Sequence, residues 1–316
     1  MRIVSASDVH RICQWPALVE ALVEGHRQGV PLSGRADVTA SVRGTTQTFL
    51  NLPAVLPGVA FGSKLVTVLP DNPDRHPDVP AIQALYAVFS GDDGAPLAVI
   101  DGTSLTYRKT AADSALGTKL LARDDPGTLA MVGAGGLSPW LARAHMAVRP
   151  SLTRVLVWNR TAHRGDAVAA ELAAEGIDAQ AVTGLKAAVR QADIVSCCTA
   201  ATQPLVKGEW LKPGAHVDLV GGYTPAMREV DDETVRRARL FVDADWNIEE
   251  CGDLIDPIQR GIIGSDKVEA DFYTLCQPGH DIARATGDIT LFKNGGGGHL
   301  DLYTALFILK SLQPSP

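Results

Sequence analysis

Residues 128–161 read TLAMVGAGGLSPWLARAHMAVRPSLTRVLVWNRT, and the periodicities in this stretch decide the fold. Positions 129–132 are an apolar run of buried-strand length, and Gly133, Gly135 and Gly136 follow at once. Pro139 stands where a first helical turn accepts an imino acid, and apolar residues then recur at helical spacing to Val148. A second apolar run, 154–158, ends in Asn159-Arg160-Thr161. Strand, glycine turn, helix and strand in this order predict a βαβ unit. Backbone N–H groups at such a turn point at an anion, and glycines let a pyrophosphate come close. Gly133, Gly135, Gly136 and Leu137 form the expected cradle, with small Ser138 at the third position of a G-x-G-x-x-G/A pattern.

The glycines alone are a weak signal; the end of the second strand sharpens it. A site for NAD usually places an acidic residue there to accept hydrogen bonds from the ribose 2′-OH. Here the cluster is Asn159, Arg160, Thr161 and Arg164, with no carboxylate among them. Guanidinium groups fork onto phosphate oxygens, so a 2′-phosphate suits these residues and the expected cofactor is NADPH, with NADH as the second choice. Without a ligand the same residues are a solvated basic turn.

Away from that stretch, 316 residues favour two domains, because single cores rarely grow beyond ~250–300 residues. Hydrophobic content of 46% and charged content of 21% are those of a globular protein. A net charge of −7 argues against nucleic acid and anionic membrane as partners. The five cysteines (Cys13, Cys197, Cys198, Cys251, Cys276) make neither a disulfide framework nor a metal pair, and the histidines have no metal spacing. The start, MRIVSASDVHRI, lacks the apolar stretch of a signal peptide, and no run approaches the ~20 apolar residues of a membrane span. These features predict a soluble, cytoplasmic protein without a metal.

From about 129 to 245 strand-like and helix-like segments alternate, which predicts a doubly wound parallel sheet of Rossmann type. After 154–159 come a helix closed by Gly176, strand 178–182, helix 185–191, strand 193–199, strand 215–220, helix 231–238 and strand 240–243. The first 112 residues differ. Short β-type segments at 38–42, 46–50, 62–68, 84–90 and 96–100 are separated by turn-rich pieces such as LPDNPDRHPD and SGDDGAP, the latter a hairpin turn at 92–94. A helix starting at Ser104 or Lys109 carries the chain onward. The division expected is 1–112 with 293–316 returning to it, an α+β substrate and dimerisation domain, and 113–292 for the nucleotide.

Taken together, the chain resembles the ornithine cyclodeaminase/mu-crystallin family. The strings that carry the resemblance are GSKLVTV (62–68), DGTSLTYRKTAADSA (101–115), VGAGG (132–136), WNRT (158–161), ADIVSCCTAATQP (192–204), GGYTPAMREVDDE (221–233) and ITLFKNGGGGHLDLYTA (289–305), in family order along nearly the whole chain. The resemblance implies a homodimer built from the N-terminal domain, to which the last helix returns. The family includes cyclodeaminases, cyclic-imine reductases, alanine dehydrogenases, opine-type amine synthases and a hormone-binding crystallin. Cyclodeaminases carry a catalytic Asp where this chain has Tyr223, and the family string LTAxRTAA appears here as LTYRKTAA, with Lys109 in place of the usual Arg and Arg108 before it. Both departures resemble the branch that reduces Δ1-pyrroline-2-carboxylate to proline, and often the six-membered Δ1-piperideine-2-carboxylate to pipecolate.

By that resemblance Arg35, Lys64 and Lys109 clamp the carboxylate of a small cyclic imino acid, with Arg108 as helper, and Tyr223 and Gly295 line the substrate. Lys64 is the expected general acid for the imine nitrogen. Lys109, Thr199, Val220, Gly221 and Asn294 are expected at the cofactor beside the glycine turn. Each residue also has a plain structural reading. Arg35 lies in the polar stretch LSGRAD and Lys64 in the strand-like run 59–68, where a cation without a partner is costly. Arg108 and Lys109 are read at a helix start, which an anion would suit better than cations do. The glycine run 295–298 equally describes a flexible linker. An alanine dehydrogenase, an N-alkyl amino acid synthase, a cyclodeaminase and a non-catalytic crystallin-type binder stay open as alternatives.

Overall fold

The structure, a computed structural model, describes residues 1–76 and 78–313. The chain divides into two compact units, Met1–Lys109 with Gly297–Pro316, and Thr110–Gly296.

Unit 1 begins with β1 (Arg2–Val4), α1 (Ala6–Ile12) and α2 (Trp15–Gln28). Ser5 starts α1 through a capping box in which its hydroxyl accepts from the Asp8 N–H and the Asp8 carboxylate accepts from the Ser5 N–H. Then follow β2 (Leu32–Ser33), β3 (Ala36–Val42), β4 (Thr45–Leu56), β5 (Ala60–Val68), α3 (Asn72–Arg75), β6 (Ile82–Ser90) and β7 (Pro96–Asp101). Among the described residues these strands form one sheet in the order β1-β7-β6-β5-β4-β2, with β3 also on β4. Arg43 and Gly44, at φ 54° and 79°, turn β3 into β4 with the positive φ pair that two-residue hairpins need.

Helix α4 (Gly102–Leu121) leaves unit 1 at Lys109 and continues as the first element of unit 2. There β8 (Thr128–Val132), α5 (Ser138–Val148), β9 (Arg154–Trp158), α6 (Ala162–Ala174), β10 (Asp178–Ala181), α7 (Leu185–Gln191), β11 (Ile194–Cys197) and β12 (His216–Leu219) alternate as the sequence predicts. Further on lie α8 (Asp232–Arg237), β13 (Arg239–Val242), α9 (Asn247–Glu250), α10 (Gly252–Gln259), β14 (Val268–Ala270), α11 (Phe272–Leu275) and β15 (Thr290–Lys293). The sheet order is β10-β9-β8-β11-β12-β15-β13-β14, with every pair parallel. The chain winds outward through β9 and β10, then returns to the other side of β8 at β11; ligands of open α/β sheets collect at that reversal, outside the strand C-termini. Finally α12 (Gly298–Ser311) belongs to unit 1 and packs on β4, β5, β6 and α2.

Three expectations need correction. The boundaries fall at 109/110 and 296/297 rather than 112/113 and 292/293. The run 290–293 is an inner strand paired with β12 and β13, where the sequence reading places no element because Lys293 and the glycine run end its apolar stretch after two residues. The connecting helix starts earlier than expected, at Gly102, where the Asp101 carboxylate accepts the Ser104 N–H. Arg108 and Lys109 therefore lie more than a turn inside it, beyond the reach of the N-terminal end of the helix dipole. Helices α1, α2 and α10 were not anticipated. The amphipathic stretch WPALVEALVEGHRQ, with proline in its first turn, carried the signal for α2.

Candidate active site

At the reversal of the unit 2 sheet lies a groove of about 370 Å³ lined by Gly133, Ala134, Gly135, the strand end from Trp158 to Thr161, Arg164 and the loop 198–201. Gly133 has φ 111°, and a Cβ there would stand 2.8 Å from the Cys198 carbonyl oxygen. Only glycine lets β8 and β11 approach this closely. Gly135 opens onto free space and is exposed, as is Gly136, while Leu137 precedes the first residue of α5. Asn159 ties the turn to β9: its Oδ1 accepts the Ala134 N–H at 3.2 Å and its amide donates to the Thr161 carbonyl at 2.9 Å. Arg160, Thr161 and Arg164 are exposed along the rim, and no carboxylate lines the groove. Glycines with room for phosphate, open N–H groups and an uncompensated pair of guanidiniums fit a dinucleotide.

The strand ends beside this groove rest on buried charge. Glu229 Oε1 accepts the Thr199 N–H at 2.6 Å and its hydroxyl at 2.8 Å. Asp253 Oδ1 accepts the Glu229 and Val230 N–H groups at 2.8 and 3.2 Å. Lys293 donates to the Leu219 carbonyl at 3.1 Å and to that of Gly221, and its ammonium is 4.0 Å from Asp253. A Cβ on Gly221 would meet the Thr199 carbonyl at 2.1 Å and the Glu229 carboxyl at 2.5 Å. Burial first, and the neighbouring Asp253 charge second, push the Glu229 carboxyl up to about 8. Val220 donates its N–H to Cys197, closing β12 against β11. None of Glu229, Asp253 and Lys293 was assigned from sequence, although Glu229 lies within the string GGYTPAMREVDDE.

Asn294 is buried and donates its amide to the Thr110 carbonyl and the Ser114 hydroxyl, both at 3.0 Å. Gly295 is held against Asn247, whose side chain would lie 2.2 Å from a Cβ. The Gly296 N–H donates to Asp243 at 2.6 Å, so the glycine run is a fixed turn. Tyr223 is 62% exposed just past Gly222.

In unit 1, β5 alternates. Ala60, Gly62, Lys64 and Val66 face inward, under α12, while Phe61, Ser63 and Leu65 face outward. Lys64 lies 2.9 Å from Asp301 of α12, with side-chain exposures of 10% and 0%. The contact is an ion pair rather than an aligned hydrogen bond, and Asp301 Oδ1 has no hydrogen-bond partner among the described residues. Lys109 is buried, and its charge is among the causes that hold His299 well below the usual histidine range, after burial and His26. Arg35 is exposed, its guanidinium gripping Asp37 at 2.7 Å. Arg108 departs from the expected role. Its guanidinium donates to His10 Nδ1 and to the His10 and Cys13 carbonyls, and stacks over Trp15 at 4.3 Å. Those bonds pin α4 to the α1–α2 junction, a structural task that replaces its reading as a clamp helper.

Among the described residues no cluster of His, Cys, Asp and Glu could hold a metal, and no helix is long and apolar enough to cross a membrane. The profile of the ornithine cyclodeaminase/mu-crystallin family matches residues 3–314. The chain is 41% identical over 308 residues to a Delta(1)-pyrroline-2-carboxylate reductase of Paracoccus denitrificans, covering 97% of this chain and 96% of the other. It is 36% identical over 200 residues to mouse ketimine reductase mu-crystallin, covering 62% and 61%. The structure of Thermococcus litoralis Delta(1)-pyrroline-2-carboxylate reductase in complex with NADH and L-proline superposes with a TM-score of 0.88 at 28% identity, over 98% of this chain and 97% of that one.

Proposed function

The chain belongs to the ornithine cyclodeaminase/mu-crystallin family, and we propose that it reduces Δ1-pyrroline-2-carboxylate to L-proline and Δ1-piperideine-2-carboxylate to L-pipecolate. It is an oxidoreductase acting on a C=N bond with a nicotinamide dinucleotide. The observation that carries the substrate reading is Lys64, a cation set into the inner face of a strand whose neighbours are apolar. Such a group is costly to bury unless it is paired; Asp301 supplies one counter-charge, and the ammonium keeps donors for the carboxylate of a ligand.

In this reading Lys64 and Lys109 hold the ring carboxylate as compact charges, and Arg35 adds a planar fork once it exchanges Asp37 for the acid. Tyr223 and Gly295 are the residues that the family resemblance assigns to the ring. Fixing the ring removes orientational freedom, an effect that supplies up to ~7–11 kcal/mol of barrier lowering. Lys64 donates the proton that makes the ring nitrogen an iminium, which turns C2 into an acceptor. When bound, the reduced dinucleotide supplies the hydride that adds to C2. The glycine turn 133–137, Asn159, Thr199, Val220, Gly221 and Asn294 would hold it, and the family resemblance adds Lys109 to them. Arg160 and Arg164, with Thr161, favour NADPH over NADH because no carboxylate in the groove competes for them. Tyr223 speaks against a cyclodeaminase, since a phenol is not a base at neutral pH.

The working protein is a homodimer. The outward face of the unit 1 sheet carries Val38, Phe49, Phe61, Leu85 and Phe89, from 39% to 68% exposed, and an apolar face of this kind suits a second copy.

The test is a cofactor-oxidation assay offering both cyclic imines, pyruvate with methylamine, and ornithine. Turnover of the imines, with NADPH at about ten-fold lower KM than NADH, is expected. Ammonia release from ornithine without imine turnover would overturn the reading.

A further inference from the structure

We infer that Asp301 is the positioning residue of the acid-binding half: it fixes the Lys64 ammonium so that its remaining donors stay open for the carboxylate of the substrate. The inference rests on the reading of Lys64 given above and adds a residue which that reading does not need.

Four observations lead to it. Asp301 lies in the first turn of α12, on the side packed over β5, where the helix dipole suits a carboxylate. It sits 2.9 Å from the Lys64 ammonium, and both side chains are almost wholly withdrawn from solvent. Asp301 is the one ion-pair partner of the Lys64 ammonium among the described residues, so a group with three N–H donors keeps donors for a further acceptor. Polar atoms of the pair and of the strand opposite lack partners as well: Asp301 Oδ1 and the Tyr86 hydroxyl are buried with no hydrogen-bond partner among the described residues, as is the Thr304 hydroxyl further along α12.

The packing shows that this arrangement is built. Tyr86 stands directly opposite Lys64 across β5 and β6. Its hydroxyl lies over Gly62, where a Cβ would be 2.1 Å away, so glycine at 62 is what seats the phenol beside the pair. Burial first, and the Asp301 charge second, hold that phenol well above its usual range, which keeps it a neutral donor. Thr304 follows Asp301 by one helical turn. A half-satisfied buried network is worse for stability than an apolar core, and such a network is explained when a ligand completes it. A carboxylate accepted by the Lys64 donors fits that requirement, and Asp301 keeps a long flexible side chain from leaving the position.

The experiment uses the full chain with NADPH and Δ1-piperideine-2-carboxylate, comparing Asp301→Asn, Asp301→Glu, Lys64→Met and the double variant Lys64→Met/Asp301→Asn. Asp301→Asn is expected to raise the imine KM about ten-fold or more while the NADPH KM stays within about two-fold. Asp301→Glu, which keeps the charge and guards against a variant that fails to fold, should recover part of the loss. The double variant should be no worse than Lys64→Met alone, because both changes remove one interaction. Wild-type imine KM in Asp301→Asn, an equal rise in both KM values, or multiplying losses in the double variant would overturn the inference while leaving Lys64 in place. An unchanged imine KM in Lys64→Met would remove the reading of Lys64, and the inference with it.

Discussion

Taking away one partner of a buried ion pair is harsher than taking away both. Lys64→Met leaves the fully buried Asp301 carboxylate without its counter-charge, which destabilises a fold by ~3–5 kcal/mol. Lys64→Met combined with Asp301→Leu should restore most of that loss, although it cannot restore activity. Urea unfolding of the two variants beside the native chain measures the difference, and equal stabilities would mean that the pair is solvated in practice. At the groove the logic is different, because Arg160 and Arg164 are exposed and act only on a ligand. Replacing either by Ala should leave stability unchanged, raise the NADPH KM about ten-fold, and leave the NADH KM nearly untouched, since NADH has no 2′-phosphate for the guanidinium to hold. Parallel losses with both dinucleotides would assign these arginines to a different part of the cofactor.

Among the elements, the ends of β11, β12 and β15 are joined by Glu229, Asp253 and Lys293, two carboxyls and one ammonium without solvent. The folded chain holds Glu229 up at about 8 against an ordinary 4.5, with Asp253 also raised, chiefly by burial. Between these values the folded form keeps a proton that the unfolded chain has released. Stability from this group is therefore present at low pH and declines as pH rises from 4.5 through about 8. His216 acts oppositely. Burial lowers it to about 3, so the unfolded chain binds a proton below pH 6.5 that the folded form refuses, and stability falls as pH drops from 6.5 toward 3. Melting temperatures followed from pH 5 to 8 should show Glu229→Gln flattening the alkaline decline; an unaltered slope would locate the titration elsewhere. The same elements show what the sequence could disclose. Strands β8, β9, β11 and β12 were legible because apolar runs ended in glycines or turn residues. Strand β15 was hidden because Thr290 and Lys293 leave only two apolar residues between them and the glycines that follow read equally as a linker; its inner place shows only in the pairing with β12 and β13. Glu229 was in plain view, yet its meaning depends on Thr199 and Asp253, which only folding brings to it. Arg108 misled for the converse reason: its position beside Lys109 suggested a shared task, while its side chain reaches back to His10 and Cys13.

On the scale of the whole molecule, the unit 1 sheet has two faces of opposite fate. The inner face, with Ala54, Ala60, Val66, Tyr86 and Val88, is covered by α12 and buried. The outer face repeats at the two-residue period of a strand and carries exposed apolar residues around the polar pair Asn51–Ser63, with Phe61 directly opposite Phe89 and Val38 opposite Phe49. A sheet face in water is mostly polar, so exposed phenylalanines on the second face call for a covering that, among the described residues of unit 1, no helix supplies. A second copy docking the same face meets the need with two-fold symmetry, each phenylalanine being used twice. Phe61→Glu with Phe89→Glu then places four carboxylates in one desolvated patch and should weaken association by ~100-fold or more. Light scattering at micromolar concentration is expected to give the mass of two chains for the native protein and of one for the variant. The native melting temperature should rise with concentration and the variant's should not. A variant that stays dimeric with an unchanged melt would show that the copies meet elsewhere, and a native protein of single-chain mass would leave the outer face to another partner.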